Sequence, residues 1–379
     1  MPVSIAAAGL GLVACAVLVL CLWAWLIAAA KAALSWNWIR GSAAAEIERF
    51  LGMLGFSPRL PLVAWSPRVA VPWAAIDLAI VVLIYMAALL AVGFSLQQLG
   101  WLPEKTTEMD KLSLDERQRF MVVNTVVSLV VCLVGMSLVA IRSGASVRDF
   151  GISWRELGSD LRLGLIGFVM LGPPVYALQG LLVYFWKQSK HPVMEMFKDA
   201  PNAGFFALLF VSAAIVAPVV EELLFRVLLQ GFLEKAHSFR GDAWELFFGG
   251  RAESGVVVCS IALDSGAGPV PALPLDHNPY APPQAALDEG SAEPISAEQP
   301  ELRGAAAWVP IGFTSAIFAA LHWSHGPDWI PLFFLAAGMG YLYQRTHRLL
   351  PSLVVHAALN GLSMWGLWVQ VQQGPGAGG

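Results

Sequence analysis

Apolar residues along this chain fall in long runs separated by short polar stretches. The runs near 4–30, 71–96, 120–141, 161–185, 204–236, 304–323, 328–344 and 349–371 approximate the ~20 residues of helix that cross ~30 Å of hydrocarbon. In lipid, backbone N–H and C=O groups must be satisfied within the segment, so each run predicts a helix. The pattern therefore predicts an all-α, polytopic membrane bundle of about eight transmembrane helices. Trp23, Trp25, Trp36, Trp38, Trp323, Trp329 and Trp368 lie near the ends of runs, where an interfacial aromatic belt belongs.

One segment departs from this pattern. Residues 237–303, with stretches such as LPLDHNPYAPPQAALDEGSAEPISAEQPE, are rich in Pro, Ala and Glu and too polar to bury a core. Disorder is expected there, although GVVVCSIAL inside the segment fits a short strand or a buried fragment. The expected organisation is N-terminal membrane helices and loops over 1–160, a second membrane unit over 161–371 interrupted by this loop, and a flexible tail over 372–379. No internal repeat is visible. Pro173-Pro174 should kink the fourth helix, because proline removes a donor and crowds the preceding turn.

Composition agrees with a membrane protein. Of 379 residues, 57% are hydrophobic and 13% charged, against roughly 25% charged in soluble domains. The net charge of -4 comes with no basic stripe, which argues against nucleic acid as a partner. Cys15, Cys21 and Cys132 read as small buried hydrophobes and Cys259 lies in the polar loop, so no disulfide framework is expected. The first run lacks a basic leader and is too long for a signal-peptide core, so it is expected to be a retained span. Loops after odd-numbered spans hold 15 of the 23 Lys and Arg residues and the others 7, with Arg226 inside a span. That asymmetry places both termini outside the cytoplasm. The location expected is the cytoplasmic membrane of a bacterium, as a multi-pass protein with the bilayer as its surroundings.

Three polar clusters sit inside apolar runs. The first is Glu221-Glu222-x-x-x-Arg226. Each charge at a helix centre costs about 2.5–3.5 kcal/mol, and three uncompensated charges about 8–10 kcal/mol, so they must face an interior and compensate one another. Glu222 and Arg226, four apart, share a face and can pair. Glu221 is turned ~100° away, which leaves it as a candidate general base. The bland alternative is a packing salt bridge with both glutamates silent. The second cluster is Phe318-x-x-x-His322, whose histidine can exchange protons near neutrality, though a lone histidine at a helix end is more often interfacial. The third is His356-x-x-x-Asn360, a pair of donors on one face that could hold a developing oxyanion or simply bond two helices together. Together the three clusters supply a base, a water-orienting group and an oxyanion site, the parts needed to hydrolyse an amide.

In this order and on successive apolar helices, EELLFR (221–226), FAALH (318–322) and HAALN (356–360) resemble the motifs EExxxR, FxxxH and HxxxN of the CPBP intramembrane proteases, the CAAX prenyl endopeptidases and bacteriocin-processing enzymes. The resemblance covers roughly 160–371. It implies a helical membrane endopeptidase acting on a peptide or protein at the membrane, lipid-modified in some members. It further implies Glu221 as the base acting with His322, His356 and Asn360 as oxyanion donors, and Glu222 with Arg226 as a supporting pair beside Phe318. Val227 stands where many relatives carry Gly, and the insertion between the first two motifs is long. The implied mechanism requires no cofactor, yet His322 and His356 are acceptable zinc ligands, so a zinc-bound version stays open. No HExxH zinc helix is present. The segment GMGY lacks the aspartate of an aspartyl intramembrane protease, and GFTS is not a serine-protease turn. Two other functions remain in play: a non-catalytic membrane scaffold or immunity-type protein keeping the protease fold, and a transporter, which the missing repeat disfavours.

Overall fold

A computed structural model of the protein describes residues 2–35, 39–53, 63–101, 113–186, 197, 202–249 and 299–372. The expected disorder and the GVVVCSIAL fragment fall largely on 250–298, outside the described residues. Among the described residues there is no strand. In chain order the helices are α1 (Pro2–Ser35), α2 (Ser42–Met53), α3 (Ala75–Gln98), α4 (Leu114–Ser143), α5 (Leu157–Trp186), α6 (Ala203–Ser238), α7 (Ala243–Phe248), α8 (Ala305–Leu321), α9 (Trp329–Thr346) and α10 (Leu349–Gln372).

Six of these, α1, α3, α4, α5, α6 and α10, are long and apolar enough to cross a membrane. The runs at 304–323 and 328–344 form a shorter hairpin, α8 and α9, of 17 and 18 residues. Two helices were not anticipated. The α2 helix mixes Glu46 and Arg49 with Ile47 and Phe50, which keeps it below any span-length apolar signal. The α7 helix opens the segment expected to be disordered: Asp242 caps it by accepting from Trp244 N at 3.1 Å, and Arg142 Nη1 donates to Phe248 O at 3.1 Å.

Local chemistry sets the helix ends. Ser113 and Glu116 form a reciprocal capping box at the start of α4, and Gly144, at φ 74°, closes it in the left-handed conformation glycine tolerates. Asn202 starts α6 by accepting from Phe205 N at 3.0 Å. Pro173 and Pro174 lie inside α5, which continues through them to Trp186. α5 packs along α10 at two small residues. A Cβ on Gly164 would stand 2.5 Å from Val354 Cβ, and one on Gly167 2.9 Å from Val355 Cγ2, so these glycines set how closely the helices approach.

α6 is not a regular α-helix. Its turns widen to an i→i+5 pattern at Ser212–Val216 and again at Leu223–Gln230. Pro218 accounts for the first, since it has no N–H and its ring crowds the carbonyl four residues back. The turn relaxes so that Ala217 N–H bonds Ser212 O. Such wide turns recur at functional sites, and here they bracket Glu221 and Glu222.

Candidate active site

α6 and α10 meet at the middle of the bundle, with α8 closing one side. Glu222 and Arg226 are fully buried, and Arg226 Nε lies 3.4 Å from Glu222 Oε2, the pairing that four-residue spacing predicts. Arg226 Nη1 also donates to Thr314 Oγ1 of α8 at 3.4 Å, and its guanidinium carbon sits 5.9 Å from the Phe318 ring centre, a cation–π distance.

α10 contributes the residue that joins the two glutamates. His356 Nδ1 lies 3.1 Å from Glu222 Oε1, and its Nε2 lies 3.6 Å from Glu221 Oε2. Glu222 is ion-paired and accepts the Nδ1 proton, which fixes the tautomer and turns Nε2 toward Glu221. The two carboxylates differ in access: Glu222 is 0% exposed, whereas the Glu221 side chain is 28% exposed. Glu221, turned away from Arg226 on its own helix, therefore faces a histidine from another helix.

His322 caps the C-terminus of α8. Its Nδ1 stands 2.7 Å from Phe318 O, so Nδ1 carries the proton and Nε2 is the basic nitrogen. The ring lies within electrostatic reach of Glu221. Phe318, 1% exposed, lies tilted against His322 at 4.8 Å and meets His356 edge-on at 5.8 Å. It is the apolar wall between the two histidines. The FxxxH and EExxxR motifs thus abut the same histidine.

Asn360 has a partner that spacing could not foresee. Its Nδ2 donates to Ala213 O at 2.9 Å. In a regular helix that carbonyl would take the Ala217 N–H, but Ala217 bonds Ser212 O instead. The i+5 alternative is Pro218, which has no N–H. Pro218 thus frees a carbonyl and Asn360 satisfies it with one of its two amide hydrogens.

Ser352, Thr314 and Ser315, all 0% exposed, are site neighbours that motif reading missed. Ser352 precedes His356 by one turn and borders the Glu222 carboxylate. Its i−4 spacing from His356 was the available signal. Among the described residues no group of three His, Cys, Asp or Glu side chains is placed to hold a metal ion. His356 turns both nitrogens to carboxylates.

Residues 203–362 match the family model described as Type II CAAX prenyl endopeptidase Rce1-like. No curated protein and no solved structure matches the chain. The matched segment contains all three motifs and the helices α6, α8 and α9 with most of α10, the elements that build the site. Over residues 203–362 the chain is similar to the Rce1-like type II CAAX prenyl endopeptidases, and its six long apolar helices make it a multi-pass membrane protein.

Proposed function

We propose that this protein hydrolyses peptide bonds of membrane-associated, prenylated CAAX-type substrates with Glu221 as the general base. The observation that carries the reading is the convergence of Glu221 and Glu222 on the two nitrogens of His356, with only Glu221 open. Glu221 takes a proton from a water molecule that His322 Nε2 helps orient, and the hydroxide oxygen attacks the scissile carbonyl carbon. The carbonyl oxygen becomes an oxyanion, which the second amide hydrogen of Asn360 stabilises. Protonated Glu221 then returns its proton to the amide nitrogen as the C–N bond breaks, releasing a carboxylate-ended and an amine-ended product. Glu222 and Arg226 stay out of the proton path and hold His356 in place.

The test is cleavage of an internally quenched farnesylated CAAX peptide by purified protein in proteoliposomes. Glu221→Gln keeps the size of the side chain and removes the base, and kcat should fall by at least ~10³-fold with unchanged thermal unfolding. Wild-type turnover in that variant overturns the assignment of Glu221. Full biological function in a Glu221→Gln strain, where a deletion strain fails, would favour a scaffold instead.

A further inference from the structure

Glu222, Arg226, Gln230 and Glu234 follow one another at intervals of four along α6, and each is 1% exposed or less. In a regular α-helix each four-residue step overshoots a full turn by about 40°, and three steps would carry Glu234 roughly 120° around the axis from Glu222. The wide turn Leu223–Gln230 takes up that drift and keeps the row on one face. At its far end Glu234 accepts from Arg68 Nη2 at 2.8 Å. At its near end stands the pair that holds His356. Gln230 joins the two.

Gln230 Nε2 donates to Glu234 Oε1 at 3.0 Å and to Gly340 O of α9 at 2.8 Å. Both amide hydrogens are thereby committed, which fixes the orientation of the amide. Gly340 marks where the other end points: a Cβ there would stand 3.0 Å from Gln230 Oε1 and 3.5 Å from Arg226 Nη1. The two atoms border one point, within the reach of a single bridging water. Gln230 Oε1, Arg226 Nε and Arg226 Nη2 are buried without a hydrogen-bond partner in the protein, and buried polar atoms in native proteins nearly always have one.

We propose that Gln230 is a positioning residue: its amide oxygen holds the Arg226 guanidinium through one water against Glu222, and so sets His356. Gly340 is its counterpart on α9, because any side chain there would occupy the point the two groups share. The proposal rests on the reading of Glu221 and His356 given above.

The experiment compares Gln230→Leu, Gly340→Ala and Glu221→Gln in the farnesylated-peptide assay, with kcat, KM and thermal unfolding measured for each. Gln230→Leu and Gly340→Ala should each lower kcat about tenfold to a hundredfold, as small misplacements near a reacting centre do. KM should stay within about twofold and unfolding should still be cooperative. Gly340→Ala leaves the Gln230 amide intact, so it decides the question should Gln230→Leu fail to fold. Unchanged kcat in a folded Gly340→Ala or Gln230→Leu protein, with Glu221→Gln inactive, overturns the role of Gln230 alone. A loss confined to unfolding temperature or KM also overturns it, marking Gln230 as packing. Turnover in Glu221→Gln removes the catalytic reading itself.

Discussion

Two buried glutamates of α6, a few turns apart, each pair with an arginine, and the two pairs are built differently. In the Glu234–Arg68 pair every donor of the arginine that faces the protein is used: Nη2 to Glu234 at 2.8 Å, Nη1 to Tyr343 Oη at 3.0 Å and Nε to Gln299 Oε1 at 3.3 Å. Glu234 in turn takes Gln230 Nε2 and lies 3.4 Å from His347 Nε2. In the Glu222–Arg226 pair the closest approach is 3.4 Å, and Glu222 Oε2, Arg226 Nε and Arg226 Nη2 have no hydrogen-bond partner in the protein. A saturated buried network is rigid and costly to break, whereas a partly satisfied one keeps polar capacity in reserve. The first pair holds the bundle together. The second is less fully bonded and touches His356.

The most direct way to break this comparison is to neutralise each glutamate in turn. Glu234→Gln leaves the largely enclosed Arg68 with reduced compensation and should lower stability by about 3 kcal/mol, read as a lower unfolding temperature in detergent. Glu222→Gln keeps its contact with His356 through the amide oxygen and should cost far less stability, while reducing kcat by about 10²-fold or more. Equal stability losses from the two variants would erase the distinction.

The contrast also explains what could be read from the chain. The four-residue spacing of Glu222 and Arg226 forecast their pairing because both partners sit on one helix, where geometry is set by 3.6 residues per turn. The same rule would have found the extension to Gln230 and Glu234. It could not supply Arg68, which comes from before α3, nor the rotation of α10 that sets His356 between two carboxylates instead of beside Asn360. Those depend on how helices pack, and the packing is fixed by details such as Gly164 against Val354. The irregularity of α6 had a visible sign in Pro218, but its consequence, a freed Ala213 carbonyl, emerges only when α10 is placed against it.

A second test sharpens the comparison through pH, since the saturated end of the molecule carries titratable groups outside the spans. Burial holds the His347 imidazole below its usual pKa and the Arg68 guanidinium pushes the same way, with Glu234 and Ser66 opposing. Burial alone would raise the Glu301 carboxyl, but hydrogen bonds from Arg345 and Arg303 hold it below the glutamate range. Both folded values are depressed. Their stabilisation is therefore complete above the unfolded values, ~6.5 for His and ~4.3 for Glu, and is lost as pH falls below them. Thermal unfolding should drop between pH 7 and 5 through His347 and further below pH 4 through Glu301. His347→Gln should flatten the first step and Glu301→Gln the second. A pH-independent melting temperature over this range contradicts the assignment.

The smallest effect separates two jobs of one amide at the other end of the comparison. Asn360 gives one hydrogen to Ala213 O, a carbonyl left over because Pro218 offers no N–H. Asn360→Ala should therefore cost about 1 kcal/mol of stability. In a Pro218→Ala background the restored N–H can serve the α6 backbone itself, and the same Asn360→Ala change should cost measurably less. A double-mutant cycle on unfolding reads this coupling directly. Turnover should behave otherwise. The second amide hydrogen serves the oxyanion in the proposed reaction, so the loss of kcat on Asn360→Ala should persist whether residue 218 is Pro or Ala. If kcat recovers together with stability in the Pro218→Ala background, Asn360 is only a backbone cap and takes no part in holding the oxyanion.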